Sequence, residues 1–269
     1  MRILIAGSTG TVGRQIVAQL VAQGHSVRAL TRNPEAVLPG AEMVVGNLTD
    51  PSTLVAALDG VEAMHLISFD GGGYQPLATG PEIVELASRA GVKRVTVLGG
   101  KDESGVEKAL RDSDLAWTVV QPVEFMGNAL AWIPAVHAGE IKEPFVDRRS
   151  AMVHEADIAA VAVVGLTEDG HGGQTYTVTG PQVLTVPEKV EILSRALGRT
   201  IGLVELTEAQ AREKWAGEGL AADIIDFLIW AYGNTPEIGY TVVSTVEDLT
   251  SKPARTFAQW CAENAPAFA

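Results

Sequence analysis

The sequence predicts an α/β protein, a doubly wound parallel sheet with a smaller, mostly helical C-terminal region. Three observations predict it. Short β-branched runs alternate with helical patterns through the first half of the chain, a glycine-rich turn joins the first run to the first helix, and the alternation loosens beyond about residue 121. Ile3 to Ala6 reads as a buried strand. Val12, Ile16, Val17, Leu20 and Val21 share one helical face, and Gly24 ends that helix. Val27 to Leu30 and Met43 to Val45 are the next strands, Asp50-Pro51 opens a short helix, and Ala63 to Ile67 is the fourth strand. Pro81 to Ala90 is helical, Val95 to Leu98 a strand, Val106 to Arg111 a helix and Trp117 to Val120 the sixth strand. Later, Glu155 to Leu166 is an apolar-rich helix, Thr175 to Val178 a strand and Val186 to Leu197 a helix. Thr207 to Tyr232 is mostly helical, and a last helix spans Ala254 to Glu263. With no repeat or low-complexity linker, the expected organisation is a nucleotide-binding core over residues 1–150. Residues 151–269 would complete that core and form a substrate-binding region, with a cleft where the strand ends open.

Composition narrows the function. A length of 269 residues is ample for a hydrophobic core, and 46% hydrophobic with 20% charged residues is ordinary for a globular protein. The formal net charge of −13 opposes nucleic-acid binding, which rests on Lys and Arg displacing counterions. A single cysteine, Cys261, forms no internal disulfide and no Cys-rich metal framework. Met1-Arg2 runs into Ile3-Leu4-Ile5-Ala6-Gly7, too short an apolar stretch for a signal peptide, and no stretch approaches the roughly 20 apolar residues of a membrane span. The expectation is a cytoplasmic protein acting on a small molecule, without membrane or nucleic-acid partners.

Gly7-Ser8-Thr9-Gly10-Thr11-Val12-Gly13 lies between the first strand and the first helix. Gly7 allows a tight turn, Gly10 a close approach to a pyrophosphate, and Gly13 close helix–strand packing. N–H groups at the helix start would face the phosphates. The spacing is GxxGxxG rather than the commoner GxGxxG, but its strand–turn–helix setting is that of a Rossmann-like dinucleotide site. An NAD site usually carries a carboxylate at the end of the second strand. Here Arg28-Ala29-Leu30-Thr31-Arg32-Asn33-Pro34 has none, so Arg32 is the candidate for a 2′-phosphate and NADP(H) is expected over NAD(H). Arg14 is a second candidate, and the alternative for Arg32 is a solvated arginine in a turn.

The glycine loop, Thr31-Arg32-Asn33-Pro34 and Gly46-Asn47-Leu48-Thr49-Asp50 together resemble the atypical short-chain dehydrogenase/reductase family, in its NmrA-like branch. Ser113 to Pro122, Phe125-Met126-Gly127-Asn128, Asp157-Ile158-Ala159 and Tyr176 to Pro181 follow in family order, over roughly residues 1–200. The resemblance implies that Gly7, Thr9, Gly10, Thr11, Val12 and Gly13 surround the pyrophosphate and that Arg32 meets the 2′-phosphate. It places Asn47 and Leu48 on the adenine side and Ser68 beside the nicotinamide ribose. Typical members carry Tyr-x-x-x-Lys as proton donor. Here the residues four after the tyrosines are Ala78, Gly180, Pro236 and Ser244, so the catalytic proton donor is unassigned. Ser104 with Lys108 is the nearby pair at that spacing, and helical i, i+4 placement explains it equally well.

The expected substrate residues follow the strand ends. Asp70-Gly71-Gly72-Gly73-Tyr74 reads either as a mobile lid, with Phe69 or Tyr74 on the substrate, or as an ordinary turn. Gln121, Phe125, Asn128 and Trp132 would line an apolar pocket with two amides, although Phe125 and Trp132 also suit a core. His154-Glu155-Ala156-Asp157-Ile158 begins like a zinc-protease motif but has isoleucine where the second histidine belongs. It reads as a helix start, and the resemblance places His154 near the cleft. The other histidines show no metal-ligand spacing, so no metal is expected. The expected function is NADPH-dependent hydride transfer to an activated acceptor, such as a quinone, enone or imine, which needs mainly orientation and exclusion of water. The alternative is a non-catalytic NADP(H)-binding redox sensor of the NmrA type. A homodimer or a regulatory protein partner is compatible with either.

Overall fold

The computed structural model describes residues 1–70, 75–100 and 103–269. In chain order the elements begin with β1 (Arg2–Ile5), α1 (Thr11–Ala22), β2 (Ser26–Thr31), β3 (Glu42–Val45), β4 (Ala63–Ile67), α2 (Gly80–Arg89), β5 (Arg94–Leu98), α3 (Gly105–Arg111) and β6 (Ala116–Pro122). There follow α4 (Ile133–His137), β7 (Glu140–Pro144), α5 (Glu155–Thr167), β8 (Gln174–Val178), α6 (Val186–Leu197) and β9 (Gly202–Leu206). The chain ends with α7 (Glu208–Gly217), α8 (Ala222–Gly233), α9 (Thr245–Thr250) and α10 (Phe257–Asn264). These elements form two compact units. The first comprises Met1–Pro122, Glu155–Val178 and Ser244–Lys252, and the second Val123–His154, Thr179–Val243 and Pro253–Ala269.

The first unit is built on a seven-stranded sheet in the order β3-β2-β1-β4-β5-β6-β8, parallel throughout. The predicted doubly wound parallel sheet is thus the observed one. Its central strands are buried on both faces, which is why they read as continuous apolar runs: all five residues of β4 are buried. Side chains alternate between faces. Leu4, Met64, Leu66, Val95 and Val97 pack with Ile83, Val84, Val106 and Leu110 of α2 and α3 in one core. On the opposite face lies α5, packed against α1 and against β4, β5 and β6. This helix is buried on nearly every side, from Glu155 to Leu166 with one partly exposed residue, Ala160, and so shows no polar stripe. It approaches the sheet at Gly165, where a Cβ would come within 2.9 Å of the Thr96 methyl.

The second unit holds a two-stranded parallel sheet, β7-β9. Around it Trp132, Val136, Ile141, Val190, Leu193, Phe257 and Trp260 form one core. The α7–α8 pair forms another, of Ala211, Trp215, Ile225 and Ile229. Neither strand was expected from the sequence, because Glu140, Lys142, Glu143 and Pro144 obscure the alternation of β7. The expected helical run from Thr207 to Tyr232 is two helices, separated at Gly219, whose φ is +88°. The last helix starts at Phe257 rather than Ala254, because Thr256 caps it and bonds reciprocally with Gln259.

Candidate functional site

The order of the first sheet reverses at β1, between β2 and β4, and ligands of such sheets bind beyond the carboxyl ends of the strands at that point. The glycine loop leaves β1 there. Gly7 has φ +64°, a conformation that disfavours side chains, and its carbonyl accepts from Gly10 N–H at 2.9 Å. A Cβ on Gly13 would lie 2.1 Å from the Gly7 carbonyl oxygen and 2.9 Å from Ser8 Cα, so helix and loop approach as closely as glycine permits. Ser8 is fully buried and its hydroxyl donates to the Leu30 carbonyl at 2.8 Å, tying the loop to β2. Gly10 is the N-cap of α1, no side chain caps the helix, and its first turn carries no acid. The first intrahelical bond runs from Arg14 N–H to Gly10 C=O, which leaves the earlier N–H groups of α1 without intrahelical acceptors. Thr9, Gly10 and Thr11 are exposed, while Val12 and Gly13 are buried beneath them. An uncapped helix start beneath a loop that only glycine can form fits a dinucleotide pyrophosphate, by hydrogen bonds and by the helix dipole.

The other expected cofactor residues sit at neighbouring strand ends. Arg32 is exposed in the turn after β2, where Thr31 Oγ1 accepts from Asn33 N–H and Asn33 Oδ1 from Glu35 N–H, each at 3.0 Å. Arg28 is otherwise engaged, paired with Glu42 at 3.1 Å and donating to the Ala57 and Asp59 carbonyls. Arg14 lies over the glycine loop, donating to the Thr9 carbonyl at 2.7 Å and the Gly10 carbonyl at 3.3 Å. After β3, Asn47 Oδ1 accepts from Thr49 N–H, and Leu48 is buried with its carbonyl accepting from the Thr79 hydroxyl at 2.6 Å. After β4, Ser68 donates to the Leu98 carbonyl at 3.2 Å, and Phe69 pairs with Pro76 and packs on the core. The expected contact residue Tyr74, with Gly71 to Gly73, lies outside the described residues. Gln121, on β6, donates to the Gly100 carbonyl. Ser104 is the N-cap of α3, its hydroxyl accepting from Glu107 N–H while Glu107 returns a bond to the Ser104 amide, so its role is capping.

Four expected substrate residues belong to the second unit. Phe125 is half-buried and Asn128 exposed. The Trp132 indole is 9% exposed and donates to Glu143 at 2.8 Å, which makes it part of that unit's core. His154 is buried with Nε2 3.1 Å from Glu263.

The sequence reading missed a buried charge network in this unit. Lys189 is 1% exposed and donates to Ser150 Oγ at 2.7 Å and to Glu124 at 3.3 Å. Arg148 pairs with Glu143 at 3.3 Å and stacks 3.9 Å from the centre of the Tyr232 ring. Burial, with Arg148 adding repulsion, holds Lys189 below the ordinary lysine range against the pull of Glu124 and Glu143. Burial pushes the Glu124 carboxyl up, but Lys189, the Ser150 hydroxyl and Arg148 together hold it below the usual range. Burial pushes Tyr232 up to about 12. One signal existed: Lys189 sits on the apolar stripe Val186, Val190, Leu193 of α6, where a solvated lysine does not belong.

Sheet order, loop and uncapped helix define an NAD(P)-binding α/β protein of the Rossmann-like class. Residues 7–104 match the family described as NAD(P)H-binding. The chain belongs to this NAD(P)H-binding family, as an NAD(P)-binding oxidoreductase, and it shares its fold with NmrA, a negative transcriptional regulator, with a TM-score of 0.74 at 16% identity over 98% of this chain and 95% of that one. It is 36% identical to a (4-alkanoyl-5-oxo-2,5-dihydrofuran-3-yl)methyl phosphate reductase of Streptomyces griseus, over 99% of each chain. It is 34% identical to an NAD(P)H azoreductase of Xenophilus azovorans, again over 99% of each. Its fold matches an NADPH-dependent quinone oxidoreductase of Escherichia coli with a TM-score of 0.80 at 24% identity, over 98% of this chain and 99% of that one. Among the described residues no helix is long and apolar enough to cross a membrane.

Proposed function

We propose that this chain is an NADPH-preferring reductase that transfers hydride to a small, activated, largely apolar acceptor of the conjugated-carbonyl, quinone, imine or azo kind. The observation that carries this reading is end-to-end similarity to two reductases whose acceptors, by name, are the methyl phosphate of an alkanoyl-bearing oxo-dihydrofuran and an azo compound. Such acceptors are electrophilic already, so catalysis rests on orientation and exclusion of water more than on activating a carbonyl. The bound cofactor supplies the hydride. The residues Gly7, Thr9, Gly10, Thr11, Val12 and Gly13 hold its pyrophosphate, with Asn47 and Leu48 on the adenine side and Ser68 beside the nicotinamide ribose. Arg32 selects NADPH: it is the exposed cation at the end of β2, in a turn without a carboxylate between Arg28 and Pro34. Phe69, Tyr74, Gln121, Phe125 and Asn128 are proposed to orient the acceptor. Trp132, bonded to Glu143, and His154, 3.1 Å from Glu263, complete the proposed substrate-binding set.

The test is fluorescence titration with NADPH and NADH, followed by a panel of quinones, enones, imines and azo compounds offered to the NADPH complex. Tight NADPH binding with acceptor-dependent oxidation is the expected result. Binding without turnover across the panel would favour the redox-sensor reading, and failure to bind either dinucleotide would end both.

A further inference from the structure

The small sheet of the second unit ends on an open edge. It has two strands, and β9 pairs with β7 alone. Gly202 N–H donates to the Gly139 carbonyl at 2.9 Å, so Gly202, Val204 and Leu206 turn their backbone groups towards β7. Leu203 and Glu205 therefore direct an N–H and a C=O each to the outside, and among the described residues nothing bonds to these four groups. The open stretch is bounded at both ends. Ile201 N–H is taken by Ser194 Oγ at 3.2 Å, and Thr207 N–H by Gln210 Oε1 at 2.9 Å. Edge strands that stay single are commonly guarded by a lysine, a proline or a bulge. Gly202-Leu203-Val204-Glu205-Leu206 carries none of these, and Val204 is 38% exposed.

Side chains alternate along the strand, so Leu203 and Glu205 share one face of the small sheet. On that face Leu203 lines an open groove of about 570 Å³ against α6, with Val190, Glu191, Arg195, Arg199 and Ile201. Glu191 pairs with Arg195, and Arg199 donates to the Phe268 carbonyl at 3.3 Å, so the charged side chains of the groove are two cations against one carboxylate. Glu205 is the reverse case: it is exposed and, among the described residues, pairs with no cation.

We propose that β9 is a pairing edge for a second copy of this chain, antiparallel about a two-fold axis at Val204, which joins two small sheets into one of four strands. Leu203 of each copy then faces Glu205 of the other, and four hydrogen bonds form that leave no outward backbone group unpaired. Val204 meets its own counterpart at the close, non-hydrogen-bonded position. Each Glu205 carboxylate comes beside the other copy's Leu203, at the groove that holds Arg195 and Arg199. A register centred on Glu205 would instead set carboxylate against carboxylate. The occupant is a second copy because β9 itself meets each demand of the site: two outward peptide units two residues apart, an apolar side chain between them, and a free carboxylate for the arginine groove. This assembly does not depend on the reductase reading.

The test is sedimentation velocity on the full-length protein over a concentration series, with amide hydrogen exchange followed by NMR. Wild type should pass from monomer to dimer with a dissociation constant in the micromolar range, as a small interface implies. The Leu203 and Glu205 amides should exchange at least about tenfold more slowly in the dimer, while Val204, bonded to β7 in both states, is unchanged. Glu205→Lys should raise the dissociation constant at least about tenfold, and adding Arg195→Glu with Arg199→Glu should restore most of the loss. Val204→Lys, which sets like charges across the axis, disrupts the dimer by the same measure and covers the case in which the triple variant does not fold. Glu205→Lys and Val204→Lys should keep wild-type NADPH binding. A protein that stays monomeric to millimolar concentration, a dimer that both lysine variants leave intact, or Leu203 and Glu205 amides that exchange alike in monomer and dimer overturns the proposal.

Discussion

Replacing Gly13 by alanine tests the glycine loop where its geometry is tightest. The added Cβ would sit 2.1 Å from the Gly7 carbonyl oxygen, 2.7 Å from the Gly7 carbonyl carbon and 2.9 Å from Ser8 Cα. Ordinary non-bonded contacts lie near about 3.5 Å, so loop and helix start must separate by roughly 1 Å. All three clashing atoms are backbone, and no flexible side chain can give way. Overpacking of this kind costs about 1–3 kcal/mol, a fall in Tm of roughly 3–10 °C for a unit of this size. The N–H groups at the start of α1 move with the loop. Losing one good hydrogen bond to a charged phosphate, about 2 kcal/mol, weakens dinucleotide binding about thirtyfold. The assay is fluorescence titration with NADPH, with thermal unfolding alongside. Gly24→Ala is the control: φ is +80° with open space around the Cβ, so it should cost about 1 kcal/mol of stability and leave binding intact. A Gly13→Ala protein that titrates like wild type, or a Gly24→Ala protein that loses binding equally, would refute the assignment of this loop to the pyrophosphate.

Arg32→Ala should weaken NADPH about tenfold while changing NADH less than about twofold, because only the former carries the 2′-phosphate; equal effects on both would remove the selectivity argument. Ser104→Ala should lower stability by about 1 kcal/mol through loss of the α3 cap and leave turnover alone; a collapse of kcat in a folded variant would reinstate the Ser104–Lys108 pair. Burial pushes His65, bonded to Thr96 at 2.8 Å, down to about 4. In the unfolded chain it titrates near about 6.5, so the unfolded state binds more protons between those two values. Its contribution, about 3 kcal/mol, is therefore complete above about pH 6.5 and lost as pH falls toward 4. His65→Gln should flatten unfolding free energy against pH across that window, and a profile parallel to wild type would contradict it.

Much of the first unit was legible because its signals are local. Apolar runs three to five residues long mark strands buried on both faces, and the stripe Val12, Ile16, Val17, Leu20 marks α1. The glycine loop was legible for the same reason: positive φ at Gly7 and the close approach at Gly13 are demands that only one residue type meets. The strands β7 and β9 were not legible, since each is five residues long and gains its partner across more than fifty residues of intervening chain. Arg14 was read as a phosphate ligand in reserve; its guanidinium also lies on the Thr9 and Gly10 carbonyls, a contact that depends on the loop's fold.

By itself the sequence determined the repeating strand–helix units, the glycine turn between β1 and α1 and the lack of a tyrosine–lysine pair, because each depends on neighbours within a few residues. Only the tertiary structure decided that α5 and β8 return to the first sheet, and that Lys189 meets Ser150 and Glu124, residues 39 and 65 positions away. The reason is that burial and charge pairing depend on which distant segments share a volume. A lysine reads the same in sequence whether water or a carboxylate surrounds it, and its chemistry differs entirely between the two.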